Sequence, residues 1–304
     1  MGEARVLESI QRLVQEAGGA RLRKELQLGI GDDCAIFRPR AGEDLLFTTD
    51  MLIEGRHFLR GTHRAADLGW KALARGLSDI AAMGGEARFC LVSLALPGWA
   101  DRRFIDGFYG GLLKLAHETG ASLAGGDLAR AATLYCDIVV CGAAPRGTAL
   151  RRDGARAGDA VYVSGALGGS ALGLATRRGA AWRRHLRPEP RLALGRFLRT
   201  KLRATAAMDL SDGLSIDLHR MALASRVRAE IETPPVFAGA SREQALDGGE
   251  DYELLFTVRP GTRVPAQLEG LPLTRIGTMQ RGRPGTVLLE GKPLAPLGFD
   301  HFRS

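Results

Sequence analysis

The chain has 304 residues, 45% of them hydrophobic, with a formal net charge of +8 and a pI near 9.8. That length can build one large or two medium domains with substantial cores, and no apolar run approaches the ~20 residues that span a bilayer. The positive charge is mostly dispersed arginine, and its densest runs ("RRDGAR", "RRGAAWRRHLR", "TKLR") lack the interleaved aromatics of a base-stacking platform. A compositional preference for arginine explains the charge as well as nucleic-acid binding does, and the expectation is no nucleic acid and no membrane.

The N-terminal "MGEARVLESIQRLVQEAGG" has the pattern of an amphipathic helix, with Val6, Ile10, Leu13 and Val14 on one face, and not that of a secretory signal. Strand-length apolar runs follow at 44–50, 87–96, 121–127 and 133–144. Helical periodicity covers 64–83 and 101–119, the second capped by Asp101 and ending before Gly120. The polar stretch "RRDGARAGDAVYVSG" places a domain boundary near residue 148 and leads into a strand at 160–164. The glycine-rich "SGALGGSALGLA" then opens a helix, "PEPRLALGRFL" starts another with proline at an early position, and "ATAAMDLSDGLSIDLHRMALAS" joins a strand to a helix through a turn. Strands near 227–232, 252–258, 272–279 and 286–289 complete a mixed pattern. It predicts two domains, 1–147 and 148–304, of α/β or α+β class. Of the four cysteines, three (Cys90, Cys136 and Cys141) fall in strand-like runs, as expected of buried thiols in a reducing cytoplasm, and Cys34 does not.

The notable acids share one setting. Asp32 and Asp33 follow Gly-Ile-Gly, Asp50 ends "LLFTTD", Asp127 ends "LAGGD", Asp209 and Asp212 bracket Ser211, and Glu250 and Asp251 follow "DGG". Asp79 occupies the last turns of a helix, where the macrodipole disfavours a carboxylate. Any one of these is explained as a turn or cap residue; the set is better explained by Mg²⁺, which takes a few carboxylates together with water and phosphate oxygens. No Walker loop, HExxH, CxxC pair or GxSxG elbow is present. "SGALGGSALG" would serve either to present backbone N–H groups to an anion or to pack a helix tightly.

The segments "GIGDDCAIF", "TTDMLIEGRHF", "LSDIAAMGG", "GGDLAR", "HLRPEPRLALG", "MDLSDGLSIDL", "GGEDYELLFTV" and "GFDHF" stand in the order and spacing of the thiamine-monophosphate kinase family, and the chain resembles it from about residue 25 onward. The resemblance implies a fold like that of aminoimidazole ribonucleotide synthetase. In it, the N-terminal mixed sheet with helices pairs with its twin in a homodimer, and a C-terminal α/β domain follows. It implies ATP-dependent phosphorylation of thiamine monophosphate to thiamine diphosphate with several Mg²⁺ ions and no phosphoenzyme. It marks Asp33, Thr48, Thr49, Asp50, Asp79, Asp127, Asp209 and Asp212 as metal ligands, and Tyr109, Gly126, Asp127, Arg152 and Ser211 as ATP contacts. His57, Glu250 and Phe299 would contact the thiamine phosphate, and Asp32 would act through its neighbours. No general base is expected, because the acceptor is an already ionised phosphate oxygen. Leucine follows "GGD" where the family usually carries a hydroxyl, and the segment 219–247 is short for the family. The readings that remain beside this one are a sister ATP-dependent enzyme, an inactive scaffold and a basic nucleic-acid-binding protein.

Overall fold

A computed structural model describes residues 3–16, 25–30 and 34–299. The chain divides into two compact units, one of residues 1–80 and 85–147, the other of residues 81–84 and 148–304.

The first unit opens with α1 (Glu3–Glu16), a short hairpin of β1 (Leu26–Leu28) and β2 (Ile36–Phe37), and the long strand β3 (Glu43–Ile53). After it come α2 (Ala65–Ala82), β4 (Glu86–Leu96), α3 (Arg102–Thr119), β5 (Ser122–Arg130) and β6 (Tyr135–Pro145). The sheet order is β3-β6-β4-β5, with β4 and β5 parallel and joined through α3. Asp101 caps α3 by accepting from the Phe104 N–H at 2.8 Å, and Gly120 ends it at φ 71°, as the sequence predicts. Leu73, Leu77 and Ile80 recur at helical spacing on α2 and are at most 1% exposed, as are Val92, Leu94, Ile138 and Val140 of the sheet. Helices α2 and α3 meet backbone to backbone: a Cβ on Gly111 would stand 1.9 Å from the Ala66 carbonyl oxygen.

Strands β3 and β5 both outrun their expected ends, so Asp50 and Asp127 lie inside strands and do not end them. The sequence places the ends at the acids because the apolar runs stop there. The ladder does not stop: β3 stays paired with β6 as far as Ile53↔Tyr135, and β5 with β4 as far as Leu96↔Arg130.

The second unit contains β7 (Ala160–Ser164), α4 (Gly169–Thr176), α5 (Gly179–Leu186), α6 (Leu192–Phe197) continued by one π-helical turn, β8 (Ala206–Asp209) and α7 (Leu214–Ala224). Then come β9 (Arg228–Ile231), α8 (Arg242–Asp247), β10 (Leu254–Val258), β11 (Gln267–Leu268), β12 (Leu271–Gln280), β13 (Val287–Leu289) and β14 (Lys292–Pro293). The sheet runs β14-β13-β9-β12-β7-β10-β8, with β11 beside β12. Pro190 precedes α6 and does not enter it; the Leu192 N–H donates to its carbonyl at 2.9 Å. Short α8 is absent from the sequence prediction, although its capping box, Ser241 with Gln244, is written in "SREQ". One core of this unit gathers Val161, Val163, Leu214, Leu218, Met221, Leu255 and Ile276; a second gathers Ala81, Leu194, Leu198, Leu254 and Phe256.

Cys90, Cys136 and Cys141 are buried, Cys34 is exposed, and all four are free thiols. Among the described residues no helix is long and apolar enough to cross a membrane.

Candidate active site

In the first unit the period of two along β3 sorts three neighbouring candidates. Thr48 and Asp50 point towards α2, and Thr49 points to the other face. The Thr48 hydroxyl donates to the Asp79 carboxylate at 2.5 Å, 31 residues away in sequence. Asp50 lies 3.1 Å from the Arg75 guanidinium on the same helix, which also donates to the Met51 carbonyl at 2.7 Å. Thr49 instead donates to Asp137 at 2.8 Å on the exposed face. Burial raises the Asp50 carboxyl from 3.8 to about 6; Arg75 opposes that rise, and the charges of Asp79 and Asp137 add to it. A half-buried acid with two further acids beside it is a place where a bound cation gains free energy.

Asp127 is exposed on β5, its carboxylate accepting from the Leu128 N–H at 2.9 Å. Gly126 before it has no room for a side chain, since a Cβ would stand 1.9 Å from the Val92 carbonyl oxygen of β4. Tyr109 is 3% exposed on α3, edge-on to Phe108, and burial raises its phenol well above the usual value. Its side chain offers a nucleotide almost no surface. His57 sits in the turn after β3, its Nδ1 accepting from the Ile53 N–H at 3.0 Å. Asp32 and Asp33 lie outside the described residues.

In the second unit Asp209 ends β8 and is 6% exposed. Ser211 and Asp212 form the turn into α7. Arg220 binds Asp212 at 2.5 Å and Asp217 at 2.8 Å. Asp217 is fully buried and accepts from the N–H groups of Asp212 and Gly213, both at 3.1 Å, which fixes the turn that carries Asp212. Burial raises Asp217 to about 6 against the pull of these N–H groups and of Arg220, with the Asp212 charge adding to the rise. The Ser211 carbonyl accepts from the Glu250 N–H at 2.7 Å, and the Asp212 carbonyl from the Phe299 N–H at 2.8 Å. The structure thus brings Ser211, Asp212, Glu250 and Phe299 together from three separated motifs. Phe299 is 46% exposed, and Arg152 is exposed with its carbonyl accepting from the Ser225 hydroxyl.

The glycine-rich turn before α4 does receive an anion, and it is one of the chain's own: Asp251 accepts from the Gly168 and Ser170 N–H groups.

Sequence reading misses Arg75, Asp137, Asp217 and Arg220. Three of them carry a local signal, since Arg75–Asp79 and Asp217–Arg220 have the spacing that brings helical side chains together. The donors fit Mg²⁺ in kind, being carboxylate and hydroxyl oxygens. Among the described residues, no three His, Cys, Asp or Glu side chains converge into a ready cage. A cation that keeps most of its water and shares phosphate oxygens needs none.

Residues 31–145 match the family of AIR synthase related proteins, N-terminal domain, and residues 156–290 its C-terminal domain. The fold and these acids therefore define a member of the AIR synthase related class. The thiamine-monophosphate kinase of Escherichia coli K12 is 39% identical over 92% of this chain and 93% of that protein, and the one of Bacillus subtilis 34% over 91% and 94%. The crystal structure of thiamine-monophosphate kinase from Stenotrophomonas maltophilia K279a superposes with a TM-score of 0.85, at 37% identity over 94% of this chain and 97% of that one. A structure described as AaThiL complexed with AMPPCP and TMP gives 0.78 at 33% identity, covering 95% and 96%. The chain belongs to the thiamine-monophosphate kinase family and is an enzyme of that class.

Proposed function

We propose that this enzyme transfers the terminal phosphoryl group of ATP directly to the phosphate of thiamine monophosphate, giving thiamine diphosphate and ADP. The observation that carries the reading is the relative with an ATP analogue and TMP bound, to which this chain is similar over almost its whole length. The set of acids and hydroxyls described above supports it. Phosphoryl transfer asks the protein for in-line positioning and for neutralisation of charge on the moving group.

In the first unit Thr48, Asp50, Asp79, Asp127 and Asp33 would hold Mg²⁺; in the second, Asp209 and Asp212 would. Bound there, Mg²⁺ supplies charge neutralisation and a template for the phosphates. Thr48 and Asp79 hold each other in place, and Asp217 with Arg220 orients Asp212. Gly126, Arg152 and Ser211 would contact ATP, Arg152 offering an exposed guanidinium whose fork of donors matches a phosphate. His57, Glu250 and Phe299 would contact thiamine monophosphate, Phe299 offering a π face to the cationic thiazolium, worth about 1 kcal/mol. The Thr49 and Tyr109 side chains are left out of this set, one turned to the opposite face of its sheet and the other buried. The acceptor oxygen is ionised, so no side chain is assigned as a base. We further propose a homodimer built on the exposed face of the first unit's sheet, where Phe47, Met51 and Tyr135 are 63%, 52% and 38% exposed, and a cytoplasmic location, which suits four free thiols.

The test is ADP release with ATP and Mg²⁺ in the presence of thiamine monophosphate, free thiamine or no acceptor. Thiamine diphosphate formed only from the monophosphate, with turnover at least a hundredfold lower in Asp50→Asn, is expected. ATP turnover indifferent to thiamine monophosphate would overturn the reading.

A further inference from the structure

A fixed positive charge stands among the candidate metal ligands of the first unit. On the face of β3 that meets α2, alternate residues each receive one side chain of the helix: Thr48 donates to Asp79, and Asp50 pairs with Arg75. Arg75 and Asp79 are four residues apart, so one turn of α2 sets them side by side. Asp79 and Asp137 add negative charge around Asp50. A helix that brings an acid to this site therefore brings a cation to it as well.

The guanidinium is held from two successive residues of the strand. One of its terminal nitrogens lies 3.1 Å from the Asp50 Oδ1, and the other donates to the Met51 carbonyl at 2.7 Å. The two side chains are only 13% and 20% exposed, so water and salt screen the pair less than they would at an open surface. The backbone contact matters here, because it anchors the cation whatever else the Asp50 carboxylate engages. A divalent ion on that carboxylate then has a fixed positive charge for a neighbour, and the repulsion lowers what Asp50 and Asp79 together can offer it. A polyphosphate reverses the balance. It brings several negative charges that offset the guanidinium, and oxygen ligands that Mg²⁺ shares with carboxylates.

We infer that Arg75 makes Mg²⁺ binding at Asp50 conditional on ATP: its charge keeps the ion weakly held by the protein alone and firmly held only together with the phosphates of the nucleotide. The ion then enters with ATP, and its hold relaxes when one phosphoryl group has left. The inference rests on the reading of Asp50 as a contact to Mg²⁺.

The test is the Mg²⁺ concentration that gives half of the metal-induced rise in melting temperature, measured at neutral pH with and without saturating AMPPCP. It compares the full-length parent, Arg75→Met, Arg75→Lys, Asp50→Asn and Arg75→Met/Asp50→Asn. Without nucleotide, Arg75→Met should reach that midpoint at about tenfold less Mg²⁺ than the parent, a gain that damage to the site would not produce. With AMPPCP the two should agree within about twofold. Arg75→Lys keeps the charge and should titrate like the parent, and Asp50→Asn should abolish the gain in the double variant. Where Arg75→Met is poorly folded, Arg75→Gln, which can still donate to the Met51 carbonyl, should show the same tightening. An unchanged or higher midpoint in Arg75→Met, beside a weakened response in Asp50→Asn, overturns the inference alone. So does an equal gain with AMPPCP present, or an Arg75→Lys that behaves like Arg75→Met. An Asp50→Asn that titrates like the parent overturns the reading of Asp50 and the inference with it.

Discussion

Asp50 shows what a single residue reports about the chemistry around it. An acid whose native pKa is raised from 3.8 to about 6 keeps a proton that the unfolded chain has already released, so its contribution to stability is lost as pH rises through that window. Metal-free protein should therefore lose melting temperature between about pH 4 and pH 6.5, Asp50 accounting for up to about 3 kcal/mol. Asp217 titrates in the same window, so Asp50→Asn should flatten the slope without abolishing it. Added Mg²⁺ should raise the melting temperature more at pH 7.5 than at pH 5, because the carboxylate it would bind is ionised only at the higher pH. Melting curves across pH, with and without Mg²⁺, check both signs; a Mg²⁺ effect larger at pH 5 would refute the assignment of Asp50.

Among the elements, α2 carries the most consequence, because it supplies Asp79 and Arg75 to β3 and rests on α3 through glycine. Gly111 faces the Ala66 carbonyl, and Gly69 faces that of Phe108. A methyl group at Gly111 has nowhere to go except by separating the two helices. Gly111→Ala should cost about 1–3 kcal/mol, read as a lower urea midpoint, despite alanine's better helix propensity. An unchanged or higher midpoint would show that the helices adjust freely. The sequence reveals α2 and α3 themselves through their periodicity and caps, but not this close approach, which depends on which face of each helix meets the other. Likewise Thr48, Thr49 and Asp50 read as one cluster in sequence, whereas the strand turns the middle one away.

For the whole molecule, the exposed sheet face of the first unit is the feature that an isolated chain leaves unexplained. Phe47 and Met51 alternate with Thr48 and Asp50 along β3, so one strand serves a candidate metal site on one face and an apolar surface on the other. Phe47→Glu should convert the proposed dimer to monomer, as sedimentation velocity would show, because a charge in the centre of an apolar interface is desolvated without a partner. A variant that sediments like the parent would remove this face from the interface.

The sequence by itself determined the element types along most of the chain and its family resemblance, because alternation, helical period, caps and contiguous motifs are all local. Cys90, Cys136 and Cys141 were legible as buried for that reason, lying in apolar strand runs. Only the tertiary structure decided which distant residues meet: Thr48 with Asp79, Arg75 with Asp50, and Arg184 and Arg191 with Glu253. Those meetings follow from strand order and helix faces, β10 lying between β7 and β8 and α2 lying across β3 and β6. That order is set by burying all the apolar faces of a unit at once, a condition that no single stretch of sequence contains.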